Sequence, residues 1–175
     1  SFGYKNNIII KKRVLDDIEF FVGETLIETD LNSLTVSISQ NIAQDFKLAD
    51  PKPSFDRLHI LTSATGYHYT AHGFVNGHRK SENVIPGLDL LILDCDGDIK
   101  MSTVKVLLED YTFLMSTTKR HTEEVNRFRL ILPLSHRIKL STYDYSRFMR
   151  NVFDWLPFPV DEAAKDISRK WASHP

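Results

Sequence analysis

A stretch of β-favouring aliphatic residues, Leu90-Leu91-Ile92-Leu93, stops abruptly at Asp94-Cys95-Asp96-Gly97-Asp98. The segment from Leu88 to Asp96 reads as a strand. Side chains alternate along a strand, so Asp94 and Asp96 project from one face and Cys95 from the other. Two carboxylates so placed repel each other unless a cation or a proton lies between them. Oxygen donors at that spacing suit Mg²⁺ or Mn²⁺, ions that keep waters and take substrate phosphates as further ligands. Asp-Gly is also a common turn dipeptide, and a solvated acidic turn at a strand's end accounts for the same residues.

The chain has 175 residues, 42% hydrophobic and 11% aromatic, enough for one compact domain with a substantial core. Its formal net charge of −1 excludes a chain that is basic throughout. Any polyanion must therefore be met by a local patch. The single cysteine excludes an intramolecular disulfide and fits a reducing, cytoplasmic setting. No apolar run approaches the roughly 20 residues of a membrane span, and no signal-peptide pattern opens the chain. The start at Ser1 and the stop at Pro175, without an obvious terminator, suggest a piece of a longer protein.

Before the acid strand the signals are mixed. Ile8-Ile9-Ile10 resembles a strand, Phe20-Phe21-Val22 begins a further element, and Leu34 to Ile38 alternates as a half-buried strand does. Pro51 and Pro53 mark a break. Leu58 to Ser63 and Tyr67 to Val75 read as two strands of a hairpin about Ala64-Thr65-Gly66. Later the pattern is regular. Ser102 can cap a helix bearing Val104, Leu107 and Leu108, and Thr112 to Thr118 and Phe128 to Leu132 read as strands. Ser141 to Asp144 has the form of a capping box, followed by Tyr145, Phe148, Met149 and Val152 at helical spacing and closed by Pro157. The order β-α-β-β-α predicts an α+β architecture, a sheet with helices packed on it. One domain is expected over 1–175, with an N-terminal α/β part over 1–75 and a core over 76–175.

The strand ending Ser116-Thr117-Thr118 delivers hydroxyls, then the cations Lys119 and Arg120 and the imidazole of His121. Between Lys119 and Lys139 six cations face two acids, a local balance of +4 in a chain of −1. That asymmetry suits a phosphate-handling face, although a charged, solvated hairpin would look the same. Arg127 and Arg129 share a strand face, where paired guanidinium forks suit phosphates or carboxylates; ordinary surface pairing is the plain alternative. Asp161 follows an apolar residue and is a candidate third carboxylate; it equally well opens a helix. His78-Arg79-Lys80-Ser81-Glu82-Asn83 adds a polar loop upstream, a weak phosphate signal.

Taken in order, these segments resemble the archaeo-eukaryotic primase superfamily over roughly residues 72 to 174. The resemblance rests on Asp94 and Asp96 after a hydrophobic strand, and on Ser116 followed through Lys119-Arg120 by His121. It rests also on Arg127-Phe128-Arg129 with Leu132-Pro133-Leu134, and on Val160-Asp161 leading to Asp166-Ile167-Ser168-Arg169. The spacer between Ser116 and His121 is longer than the compact form of that motif. The resemblance implies an RRM-like sheet and a primase or DNA polymerase of phage- or plasmid-type replication. It implies two-metal nucleotidyl transfer with Mg²⁺ or Mn²⁺ held by Asp94, Asp96 and Asp161 (or Asp166). Ser116, Lys119, Arg120, His121, Arg129 and Arg169 would grip the nucleotide. Implied partners are a DNA template and primer, nucleoside triphosphates, and a fused or associated helicase.

Two other readings use the same residues. Leu93 to Asp98 also resembles the haloacid-dehalogenase phosphatase signature, which normally opens a parallel α/β domain. A nucleic-acid- or nucleotide-binding replication module without catalysis is the non-enzymatic alternative.

Overall fold

The computed structural model describes residues 26–40 and 45–175. The first part of the chain holds strands β1 (Ile27–Glu28), β2 (Ser37–Ser39) and β3 (Lys47–Leu48), helix α1 (Leu58–Thr62), and strands β4 (His68–Thr70), β5 (Gly73–Phe74) and β6 (Val84–Ile85). Then follow β7 (Leu88–Asp96), α2 (Met101–Leu107), β8 (Leu114–Thr117), β9 (Arg127–Ile138), α3 (Thr142–Trp155) and β10 (Trp171–Ala172). The expected elements at Ile8–Ile10 and Phe20–Val22 lie outside the described residues.

β9 organises the larger sheet. β7 runs antiparallel along one edge, while β8 and β1 both pair with β9 at separate registers and so share its other edge. A register shift falls between Leu88 and Leu90, beside Pro133, which has no N–H to give the ladder. Asp89 at this irregularity is buried and satisfied: Thr35 N donates to it at 2.8 Å and Arg137 Nε at 3.2 Å. Beyond the shift the ladder continues in register from Leu90 to Asp96. The second sheet, in the order β10-β4-β2-β3, is likewise antiparallel, and β5 pairs with β6. The fold is therefore α+β, with antiparallel sheets and three α-helices among the described residues, and the β-α-β-β-α order holds from β7 to α3.

Burial follows the sequence pattern where the pattern was long. Leu88 to Leu93 and Cys95 are all buried, so both faces of β7 are covered. On α3, Tyr145, Phe148, Met149 and Val152 form the buried stripe, and Ser141 Oγ accepts from Asp144 N at 3.2 Å. The helix stops at Trp155 because Leu156, preceding Pro157, is driven to an extended conformation.

Three local expectations are corrected. Leu58 to Thr62 is helical, with Leu58 and Thr62 buried one turn apart, where a strand was expected. The turn at Gly66 therefore joins a helix to a strand and closes no hairpin, and Tyr67 to Val75 is divided between two sheets. Ser102 lies inside α2, whose start is instead held by Asn126: its Oδ1 accepts from Met101 N at 2.8 Å. Leu107 points outward, and Val104 and Leu108 are buried.

Candidate functional site

The register of the three long strands assembles the site. Arg129 lies directly opposite Asp94 on β7 and Ser116 on β8, and Arg127 lies opposite Asp96. Directly paired residues share a face, and residues two apart do too. Ser116, Arg129, Asp94, Arg127 and Asp96 therefore occupy one face at one end of the sheet. Phe128 and Cys95 are buried on the other.

Arg129 is the most constrained of these side chains. Its Nε donates to Asp94 Oδ1 at 2.8 Å, and Nη2 reaches Oδ2 at 3.4 Å. Nη1 donates to the Tyr69 hydroxyl at 2.9 Å and to the Ala172 carbonyl at 2.6 Å. Burial works against its charge, yet Tyr69 and Asp94 outweigh that and hold the guanidinium pKa above its ordinary value. Burial also raises the Tyr69 phenol. Between the acids, burial and then Asp94, Asp96 and Asp98 push the Cys95 thiol up to about 12. A thiol so protonated is neither nucleophile nor ligand at neutral pH.

His121 reaches the same end from the loop between β8 and β9. Thr118 N donates to the Arg127 carbonyl and His121 N to the Thr118 carbonyl, each at 3.0 Å. Arg127 N then donates to His121 Nδ1 at 3.1 Å. With Nδ1 accepting, the ring proton sits on Nε2, which leaves one N–H donor to offer an anion. Lys119 and Arg120 are exposed beside it. Asn126 fastens the loop by donating to the Thr122 and Glu123 carbonyls while it holds the start of α2. Gly97 closes the arrangement. Its φ is +104°, and a Cβ there would lie 2.7 Å from Val125 Cγ1, so the acid turn and the His121 loop touch with no room to spare.

Asp161 joins from the far end of the chain. Its backbone N donates to the Asp94 carbonyl at 2.8 Å, and its Oδ1 accepts from Ala163 N at 2.9 Å, capping a single 3₁₀ turn over Glu162–Lys165. Arg169 Nη2 stands 3.8 Å from Asp161 Oδ2. Asp166 is exposed and accepts from the backbone and hydroxyl of Ser168, a purely local turn. Of the two candidate third acids, Asp161 is thus the one beside Asp94. Asp94, Asp96 and Asp161 offer only oxygen, the donor chemistry of Mg²⁺ and Mn²⁺. Their arrangement does not complete a cage. Both Asp94 oxygens lie in the Arg129 fork, and among the described residues no three His, Cys, Asp or Glu side chains are grouped to hold an ion.

Sequence reasoning did not link Tyr69 or the Ala172 carbonyl to Arg129, or Asn126 to the start of α2, pairings that each span more than twenty residues of chain. Only strand pairing could have signalled them.

A model of the VapE N-terminal domain matches residues 72–160, half of the chain, from His72 between β4 and β5 to the residue preceding Asp161. The chain belongs to this family. Within the VapE N-terminal domain the matched span takes in Asp94, Asp96, Ser116, His121 and Arg129, and membership suggests a replication-associated protein of phage or plasmid type. No curated protein and no solved structure matched the chain. Among the described residues of this VapE N-terminal domain, no helix is long and apolar enough to cross a membrane.

Proposed function

We propose that this VapE N-terminal domain is a primase-polymerase domain of the archaeo-eukaryotic primase type, joining a nucleoside triphosphate to a nucleic-acid 3′ end. The observation that carries the reading is that strand register and backbone hydrogen bonds bring Asp94, Asp96, Asp161 and His121 to one end of one sheet, although 67 residues separate the first acid from the last. Divalent Mg²⁺ or Mn²⁺ at such acids would neutralise a triphosphate and acidify an attacking hydroxyl. The chain's own share is binding and orientation. His121 Nε2 offers a directed donor, Arg127, Lys119 and Arg120 give the surrounding surface a positive sense, and Arg129 fixes Asp94 in one rotamer. A template and primer then need only this local groove, which suits a chain with no overall positive charge.

The Arg129 fork on Asp94 favours a second reading, a nucleotide- or nucleic-acid-binding module without catalysis. Extension of a labelled primer with dNTPs or NTPs, in Mg²⁺ and in Mn²⁺, separates the two. Incorporation by the wild-type chain that Asp96→Asn abolishes is the expected result. Binding of DNA with no incorporation under either metal would leave the module. The phosphatase reading is dropped: it requires a parallel sheet, and every strand pair among the described residues is antiparallel.

A further inference from the structure

A second group of cations lies beside the acid end, where His68 and Lys170 join Arg79 and Arg169. In the second sheet Ala172 of β10 pairs with His68 of β4, and Trp171 with Tyr69. Continuing that register by one residue puts Lys170 on the face of Ala172 and His68, diagonal to the imidazole. Arg79 is drawn to the same segment: its Nη1 donates to the Ser168 carbonyl at 2.8 Å, while its guanidinium carbon stands 5.6 Å from the centre of the Phe46 ring. Arg169 follows one residue later and carries the group to Asp161 at 3.8 Å. All four side chains are half-buried.

Arg79, Arg169 and Lys170 repel one another and disfavour a charge on His68. Burial first, then Lys170 and Arg79, depress the His68 pKa; burial, Arg79 and Arg169 depress that of Lys170. Among the described residues, Asp161 is the one carboxylate within ion-pair distance of any of the four. His68 Nδ1 is also buried with no hydrogen-bond partner. Clustered like charges with so little compensation favour an anion among them.

We propose that His68, Arg79, Arg169 and Lys170 form a phosphate-binding site adjoining the acid end of β7. Phosphate oxygens would bridge cations that otherwise repel one another. The phosphate can come from a nucleoside triphosphate or from the backbone of a single strand. The site deepens the proposed function but does not require catalysis, because it is tested by binding alone.

The experiment is equilibrium binding of dATP and, separately, of a short oligothymidylate to the full chain in EDTA. Arg79→Gln and Lys170→Gln are compared with wild type, with Lys105→Gln on the exposed side of α2 as the charge control. Each site variant should bind about tenfold more weakly, the loss of one charge-assisted hydrogen bond. Lys170→Gln should be no less heat-stable than wild type, since it removes a like charge. A loss confined to dATP assigns the site to the triphosphate, and a loss confined to the oligonucleotide assigns it to the strand. Affinities within about twofold of wild type for both ligands, or an equal loss in Lys105→Gln, would overturn the site. Site-dependent binding without primer extension would leave the site standing and remove the polymerase reading.

Discussion

Arg129 and Asp94 stand directly opposite each other on β9 and β7, joined Nε to Oδ1 at 2.8 Å, with one guanidinium also holding the Tyr69 hydroxyl and the Ala172 carbonyl. The pair thus ties the larger sheet to the second one. Replacing Arg129 by Met strands a nearly buried carboxylate, a hydroxyl and a carbonyl, and should cost about 3–5 kcal/mol in urea unfolding. Arg129→Lys should recover only part of this, because a point charge cannot span both carboxylate oxygens and reach Tyr69. A loss below about 1 kcal/mol would show that the pair does not hold the sheets together.

The two acids of β7 should separate in their effects. Asp96 is exposed, so Asp96→Asn should leave unfolding free energy within about 0.5 kcal/mol of wild type. Its primer extension should fall about a hundredfold or more. Asp94→Asn should lower both, since it weakens the Arg129 fork as well. Paired unfolding curves and extension rates on the same preparations would check this. Equal stability losses in the two variants would contradict it.

Gly97 permits a positive φ and a close approach to Val125. Gly97→Ala should destabilise by about 1–3 kcal/mol through backbone strain, with overpacking in addition. Adding Val125→Ala should relieve the 2.7 Å contact but not the strain. Partial recovery of melting temperature in the double variant is the expected result.

His72 gives the fold a pH dependence on its acid side. Burial, and then Arg137, lower its pKa from 6.5 to about 4, while the Tyr145 ring stands edge-on at 5.5 Å. A depressed folded pKa means the unfolded chain takes up the proton first. The contribution is therefore full above pH 6.5 and is lost as pH falls through about 4. It amounts to roughly 3 kcal/mol. Unfolding free energy measured across that range should be flatter in His72→Phe, which keeps the ring contact.

The sequence was most legible where a long pattern had one solution. The aliphatic run from Leu88 to Asp96 is a strand with the expected ends, and the helix behind Ser141 buries all four residues its spacing selected. Leu58 to Thr62 misled because five residues of mixed character fit a half-buried strand and a single helical turn alike, and only its neighbours decide. The start of α2 misled for another reason. Ser102 was a local candidate, while the true partner, Asn126, comes from across a hairpin. At the site, residue types could be chosen from the chain, but their pairing could not. That Asp94 meets a guanidinium depends on which residue of β9 the register sets opposite it.

Family likeness stops at residue 160, but the hydrogen bonds do not. Asp161 grips the end of β7, Ala172 receives Arg129, Ser173 N donates to Tyr67 and His174 N to Thr62. A recombinant piece cut at the border of the match would keep every strand of the larger sheet and lose the strap that fastens it to its neighbour. Boundaries for expression should therefore be drawn beyond His174.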